Sequence, residues 1–502
     1  MSEKFYVTTS IAYVNAPPHI GFALELIYAD AVARYHRFAG KQVIFTTGTD
    51  DHGQKIARKA EAAGQTPQQF ADEMSATFRE SARRLGISNT DFIRTTEPRH
   101  AKAVEKFWRR VQAAGHIEKK AYVGLYCVGC EEFKTEKDLV DGKCPIHDTL
   151  PERVEEENYF FKLTSFADKL KDLYAARTDF VVPNSRSNEV EQLLKDGLED
   201  VSISRSRKQL NWGIAVPDDD TQVIYVWFDA LVNYLTALGF PDEKNLAKLW
   251  PADLHIIGKD INRFHTILWP AMLMAAGLEV PRQVGVHGWI HSEGKKMSKS
   301  LGNVVTPDEL IRDFGVEGTR YLLLHEVPFR GDGDYTKEKF IERYNSNLAN
   351  NLGNLVNRVC SMTWKYLEGS VPAKTAEPEG IGAAWHEYHQ AMRTLEFDTA
   401  LAAIWKLVDG ANQLVDHSKP WVLAKEGKTP ELAQTMYQLL ETIRHVAWML
   451  APLLPGSAKN ILEQLGSDAA EGSWEKLAAW GGLEEGSKIG QAVPLFPRLE
   501  IK

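Results

Sequence analysis

Four cysteines in 502 residues are too few for a disulfide framework. No uncharged apolar run reaches the roughly 18 residues needed for a membrane-spanning helix. The N-terminal "MSEKFYVTTS" lacks the apolar core and cleavage site of a signal peptide, so a cytoplasmic protein is expected. There is no excess of basic charge: the formal net charge of −9 excludes simple whole-molecule attraction to nucleic acid. A local basic surface stays possible, because salt confines exposed charges to about 10 Å. No internal repeat or long low-complexity tract is visible.

What is present is ordinary for a globular chain: 44% hydrophobic and 25% charged residues. The length exceeds what one hydrophobic core serves, so two or more domains are expected. "FYVTTSIAY" (Phe5–Tyr13) reads as a strand. Ile20, Leu24, Ile27, Ala31 and Tyr35 then recur at helical spacing, and Gly40 can end that helix. "QVIFTTGTD" (Gln42–Asp50) is a second strand, completing a βαβ unit of a parallel sheet. From about residue 116 to 222 an irregular, cysteine-bearing insertion interrupts this pattern. "QVIYVWF" (Gln222–Phe228), "DLHIIG" (Asp253–Gly258) and "QVGVHGWIHS" (Gln283–Ser292) read as three further strands. Beyond about residue 340 the apolar spacing is helical, broken by a Pro/Gly-rich loop at Glu368–Gly382.

Cys127, Cys130, Cys144 and His147 form C-x2-C-x13-C-x2-H. Three thiolates and an imidazole can close a tetrahedral zinc shell, and a shell with no open position is structural. Cys360 sits in helical spacing and reads as core. "NAPPHIGFALE" (Asn15–Glu25) couples a histidine and a glycine to a helix start. His19 can donate to a phosphate oxygen, Gly21 admits close backbone approach, and the helix N-terminus favours anions. "GKKMSKSLGN" (Gly294–Asn303) offers Lys295, Lys296 and Lys299 as mobile ammonium groups for phosphate charge. Trp227, Ala230, Leu231 and Tyr234 share one helical face, which alone could be plain core.

"HIGF" with "KMSKS" resembles the paired signatures of class I aminoacyl-tRNA synthetases. "TTSIAYVNAPPHIG", "TGTDDHG", "GLYCVGCE", "VSISR", "YVWFDALVNY", "IGKDINRFH" and "NLGNLVNR" are similar to methionyl-tRNA synthetases in particular, in order and over nearly the whole chain. The resemblance implies an α/β catalytic domain of Rossmann type, interrupted by a zinc-knuckle insertion and followed by an all-α anticodon-binding domain. The implied boundaries are 1–115 and 223–290 for the catalytic halves and 116–222 for the insertion. The lysine loop and stem-contact region would occupy 291–345 and the helical domain 346–502.

The resemblance also implies ATP-dependent activation of L-methionine and transfer to tRNA(Met), initiator and elongator alike. His19, Lys296, Lys299 and Arg205 would serve catalysis. His19, Gly21, Phe22, Gly258, Asp260, His287, Gly288, Lys296 and Lys299 would bind ATP, with magnesium. Ile11, Tyr13, Asp50, Trp227, Ala230, Leu231, Tyr234, Ile261 and His265 would bind methionine, Asp50 taking the α-ammonium. Asn354, Arg358 and Trp421 would read the anticodon. The chain departs from the family where Phe22 replaces a second histidine and where Leu231 replaces a proline seen in some members. Phe22 suggests an alternative, a non-catalytic tRNA-binding paralogue. The synthetases for leucine, isoleucine and valine carry a larger editing insertion than 116–222 would hold. A monomer is expected, with no membrane or DNA partner and no obligate protein partner.

Overall fold

The computed structural model describes residues 3–134, 136–146, 148–297, 302–467 and 472–500. Its centre is a six-stranded parallel sheet. β1 (Lys4–Tyr13) lies between β2 (Gln42–Asp50) and the strand Leu254–Gly258. β3 (Asp91–Arg94) flanks β2, while Val284–His287 and Val181–Val182 complete the other side. Sequence order therefore reverses direction at β1. The carboxyl ends of β1 and Leu254–Gly258 enclose the crevice where open parallel sheets bind ligands.

α1 (Ile20–Phe38) returns the chain from β1 to β2, and Gly40 beyond it takes φ +76°. The five residues at helical spacing are all buried, but so are Ala23, Leu26, Tyr28, Ala29 and Val32. α1 is covered on nearly every side. One face packs on the sheet, and the other meets the helices Pro307–Glu326 and Phe397–Ser418. The Tyr28 and Phe397 rings stack there at 5.0 Å. A short helix, α2 (Gln54–Ala62), and a longer one, α3 (Pro67–Arg84), follow β2. α4 (Pro98–Ala113) follows β3.

The segment expected as an insertion forms two antiparallel sheets but also returns Val181–Val182 to the edge of the parallel one, so it is not wholly separate from the central sheet. Ile117–Cys127 pairs with Glu152–Phe161 and Glu132–Lys134, and Val201–Ser202 adds a fourth strand. Ser204–Ser206, Asp219–Ile224 and Ala215–Val216 form the second.

Two strand expectations are corrected here. Gln222–Phe228 is not one strand of the parallel sheet. Its first part ends the antiparallel strand at Ile224, and its second begins the helix Val226–Leu231. Both parts are buried, so an apolar run cannot distinguish strand from helix by periodicity. Gln283–Ser292 likewise divides, into Val284–His287 of the parallel sheet and Ile290–Ser292 of a separate three-stranded sheet. The break falls at Gly288, whose Cβ, if present, would lie 2.0 Å from the Gly331 carbonyl oxygen. A residue with a side chain could not lie so close to the backbone at Gly331.

The C-terminal part is helical. The helices Phe397–Ser418 and Thr429–Leu450 pack on Asn354–Leu367, and Ile381–Arg393 packs on those two. Cys360 is fully buried in their core. No helix among the described residues is long and apolar enough to cross a membrane.

Candidate active site

The carboxyl ends of four neighbouring parallel strands border one cavity of about 600 Å³, a size suited to a small-molecule ligand. Ile11 and Tyr13 come from β1, Asp50 from β2, Gly258 from its strand and His287 from its neighbour. Gly288, Asp260, Ile261 and His265 follow those strand ends and also line it. The helix Val226–Leu231 contributes Trp227, Ala230 and Leu231, and Tyr234 follows a turn later. His19, Gly21, Phe22 and Lys296 close the remaining side.

His19 caps α1. Its Nδ1 accepts the Gly21 N–H at 3.0 Å. A neutral imidazole bonded so carries its proton on Nε2, which is then a donor. Burial lowers the His19 pKa, opposed by a smaller influence of Asp260. A Cβ on residue 21 would lie 2.8 Å from the His19 ring, so glycine is what admits this cap. The Ile20 N–H donates to the Val305 carbonyl at 2.8 Å, pinning the exit of the lysine loop to the start of α1. Thr306 and Glu309 then form a capping box for the next helix. Lys296 Nζ stands 4.4 Å from the Trp289 ring centroid, and Lys259 Nζ stands 4.2 Å from the same ring. Lys299 lies outside the described residues.

Phe22 is half-buried and packed against other rings. Its ring meets Phe78 edge-to-face at 4.9 Å, beside Val14, Ile56 and Phe92.

Asp50 is 8% exposed, and burial, then the Asp229 charge, pushes its pKa well above the ordinary carboxylate value. A ligand cation is what would favour its ionised form. Burial would also raise Asp229, but His52 at 2.6 Å and His100 at 2.8 Å overcome it and the pKa is lowered. His265 lies against the Ile261 carbonyl through Nδ1, at 3.1 Å. Nδ1 therefore carries the proton, and Nε2 accepts from the Tyr234 hydroxyl at 2.7 Å. Burial lowers the His265 pKa to about 4, so this tautomer is neutral at pH 7. Trp227 stacks on Phe264 at 3.8 Å, 5° from parallel.

Several lining residues escaped the sequence reading. Glu25 accepts from Ser10 N–H at 2.7 Å and Ser10 Oγ at 2.6 Å, and faces His287 Nε2 at 3.1 Å. Phe264, Trp289 and Glu131 are others. Glu25 and Glu131 stand inside the motifs "NAPPHIGFALE" and "GLYCVGCE", which was the available signal. Arg205, expected near substrate, does not line the cavity. It is 5% exposed, with its guanidinium 4.1 Å from the Tyr126 ring centroid.

The Sγ atoms of Cys127, Cys130 and Cys144 lie within 4.8 Å of one another. Tetrahedral zinc at its usual bond length of about 2.3 Å separates sulfurs by roughly 3.8 Å, so the three thiols fit such an ion. His147 lies outside the described residues. The remaining three expected site residues are distant in sequence and sit on the helical domain. Asn354 lines a cleft with Asn350, Asn357 and Phe496. Arg358, one turn further along the helix, pairs with Asp416 at 3.2 Å. Trp421 is 42% exposed at the start of the helix Pro420–Lys425.

The family described as tRNA synthetases class I (M) matches residues 5–149 and 134–360. The anticodon binding domain of methionyl tRNA ligase matches residues 371–500. The chain belongs to the methionyl-tRNA synthetase family. A methionine–tRNA ligase of Caldanaerobacter subterraneus subsp. tengcongensis is 45% identical over 100% of this chain and 80% of that relative. One of Thermotoga maritima is 42% identical over 99% of this chain and 81% of the relative. The Mycobacterium tuberculosis methionyl-tRNA synthetase in complex with methionyl-adenylate superposes with a TM-score of 0.94, at 41% identity, covering 99% of this chain and 100% of the other. The apo form of that methionyl-tRNA synthetase gives 0.87 at 38% identity over 100% and 99%. The present backbone thus matches the adenylate-bound form more closely than the free one.

Proposed function

We propose that this chain is a methionine–tRNA ligase, forming methionyl-adenylate from L-methionine and ATP and then charging tRNA(Met). The observation that carries this reading is the single cavity joining His19 and Lys296 to a buried carboxylate, Asp50, across the switch point of the sheet. Asp50 takes the substrate ammonium. Ile11, Tyr13, Trp227, Ala230, Leu231, Tyr234, Ile261 and His265 enclose the side chain. Gly258, Asp260, His287 and Gly288 meet the nucleotide.

In the first step a methionine carboxylate oxygen attacks the α-phosphorus of ATP. The bond from that phosphorus to the bridging oxygen breaks, and pyrophosphate leaves. His19 Nε2–H and the ammonium groups of Lys296 and Lys299 stabilise charge on the phosphates; the enzyme supplies position and electrostatics, not a nucleophile. In the second step a terminal ribose hydroxyl of tRNA attacks the methionyl carbonyl and AMP leaves. Asn354, Arg358 and Trp421 receive anticodon bases by hydrogen bonding and stacking. Arg205 belongs to this reading only if its guanidinium leaves Tyr126 when substrate arrives.

Zinc held by Cys127, Cys130, Cys144 and His147 supplies structural cohesion to the insertion, and magnesium accompanies ATP. The boundaries 1–115, 116–222, 223–290, 291–345 and 346–502 divide the chain by these roles. We place the protein in the cytoplasm, as a monomer without an obligate protein partner. The test is methionine-dependent ATP–pyrophosphate exchange, with leucine and homocysteine as controls. Exchange with methionine is expected. Its absence from folded, zinc-loaded protein would overturn the reading in favour of a non-catalytic tRNA-binding paralogue.

A further inference from the structure

The cysteine turn and the amino-acid pocket meet at one carboxylate. Glu131 directly follows Cys130, takes a left-handed backbone at φ 54°, and is 4% exposed. Its Oε1 accepts from the Tyr13 hydroxyl at 2.5 Å and from the Lys55 N–H at 2.7 Å. Its Oε2 accepts from the Gln54 N–H at 3.2 Å. Both amides belong to the first turn of α2, where unpaired N–H groups favour an anion. Its backbone carbonyl accepts the Tyr225 hydroxyl. Tyr225 immediately precedes the helix that carries Trp227, Ala230 and Leu231. One residue of the insertion therefore holds the end of β1, the start of α2 and the lead into the pocket helix.

The fit around this pair is close. Gly53 has φ +113°, and a Cβ there would lie 2.4 Å from the Tyr13 hydroxyl and 2.8 Å from Glu131 Oε2. Tyr13 and Glu131 both line the cavity.

We propose that Glu131 is a positioning residue for methionine binding: its carboxylate fixes the Tyr13 ring in the cavity wall and makes the shape of that wall depend on the cysteine turn. The inference rests on the methionine reading of the cavity. Glutamine at this position keeps the size but loses the charge, and it sets an amide nitrogen among three groups that donate. Its single oxygen cannot accept on both sides, so either the Gln54 N–H or the Tyr13 hydroxyl and Lys55 N–H then face another donor.

The test is a cycle of E131Q, Y13F and the double variant. Methionine and ATP are varied separately in pyrophosphate exchange, and methionine binding is followed independently by calorimetry without ATP. Zinc content and melting temperature are measured for each variant. Each single change is expected to raise the methionine KM and Kd by tenfold or more. The ATP KM should stay within twofold, and zinc content should match the unmodified protein. The double variant should be no worse than the weaker single, because both changes act on the same contact. Additive losses, equal rises in both KM values, or unchanged methionine affinity would each overturn the proposal. Absence of methionine binding and exchange in the unmodified protein would instead overturn the reading on which it rests.

Discussion

Asp30→Asn should unseat the joint between the helix that bears His19 and the helical part of the protein. Asp30 and Arg320 are both fully buried, with Arg320 Nη2 2.8 Å from Asp30 Oδ2. Arg34 Nε adds a second contact at 2.8 Å, and Ser88 N–H donates to Oδ1 at 2.7 Å. Arg320 Nε donates to the Leu453 carbonyl at 2.8 Å, so the pair reaches from α1 to the loop after Thr429–Leu450. Burial would raise the Asp30 pKa, but the charges of Arg320 and Arg34 overcome it, and the net shift is downward.

Asparagine is nearly the same size, yet it leaves a guanidinium buried without its counter-charge. Breaking one partner of such a pair costs about 3–5 kcal/mol, while replacing both by apolar groups is often neutral. D30N is therefore expected to lower the urea midpoint, with an apparent loss of about two decades or more in the folding equilibrium. D30L/R320M should recover at least half of that loss. The sign with pH follows from the depressed pKa: the contribution is present above the unfolded carboxylate value, about 3.9, and is lost as pH falls through the lower folded value. Midpoints would be read by circular dichroism, with pyrophosphate exchange measured below the transition. A loss under about 1 kcal/mol for D30N, or a double variant no better than the single, would refute the reasoning.

Phe22→His should raise the exchange rate less than tenfold if other groups already meet the phosphates. It should also cost about 0.5–1.5 kcal/mol through the lost Phe78 contact, and a hundredfold rate increase would show instead that a donor is missing. Tyr234→Phe leaves buried His265 Nε2 without its donor, a cost of about 1–3 kcal/mol; a rise of roughly five- to 150-fold in the methionine KM is expected, against an unchanged ATP KM. His265 and His445 are buried with pKa values lowered to about 4, so stability should fall with pH from about 6.5 toward 4. Each contributes a slope of about 1.4 kcal/mol per unit, and H445Q should lessen that slope in urea titrations. Cys144→Ser should bring bound zinc below a tenth of one equivalent, measured by atomic absorption, and increase protease cutting within residues 117–161.

The βαβ start, the paired phosphate signatures, the cysteine spacing and the helical C-terminal part could all be read from residues alone. Each is local: strand and helix periods, and ligands a few residues apart, are written within short windows. The methionine face was legible as a period, but only tertiary structure separates a cavity wall from plain core. Burial on both sides concealed the switch from strand to helix at Tyr225, and the helical spacing in α1 marked one face where nearly all are covered. Glu25 and Glu131 carried no periodic signal. Their roles come from partners 15 to 262 residues away in the chain, across the sheet and the insertion. Arg205 shows the converse: its motif was plain, and packing over Tyr126 decided where its charge rests. Sequence by itself determined which chemical groups the protein owns and their local order. The tertiary fold decided which of them meet, because hydrogen bonds and charge act over a few ångströms of space, whatever the length of chain between them.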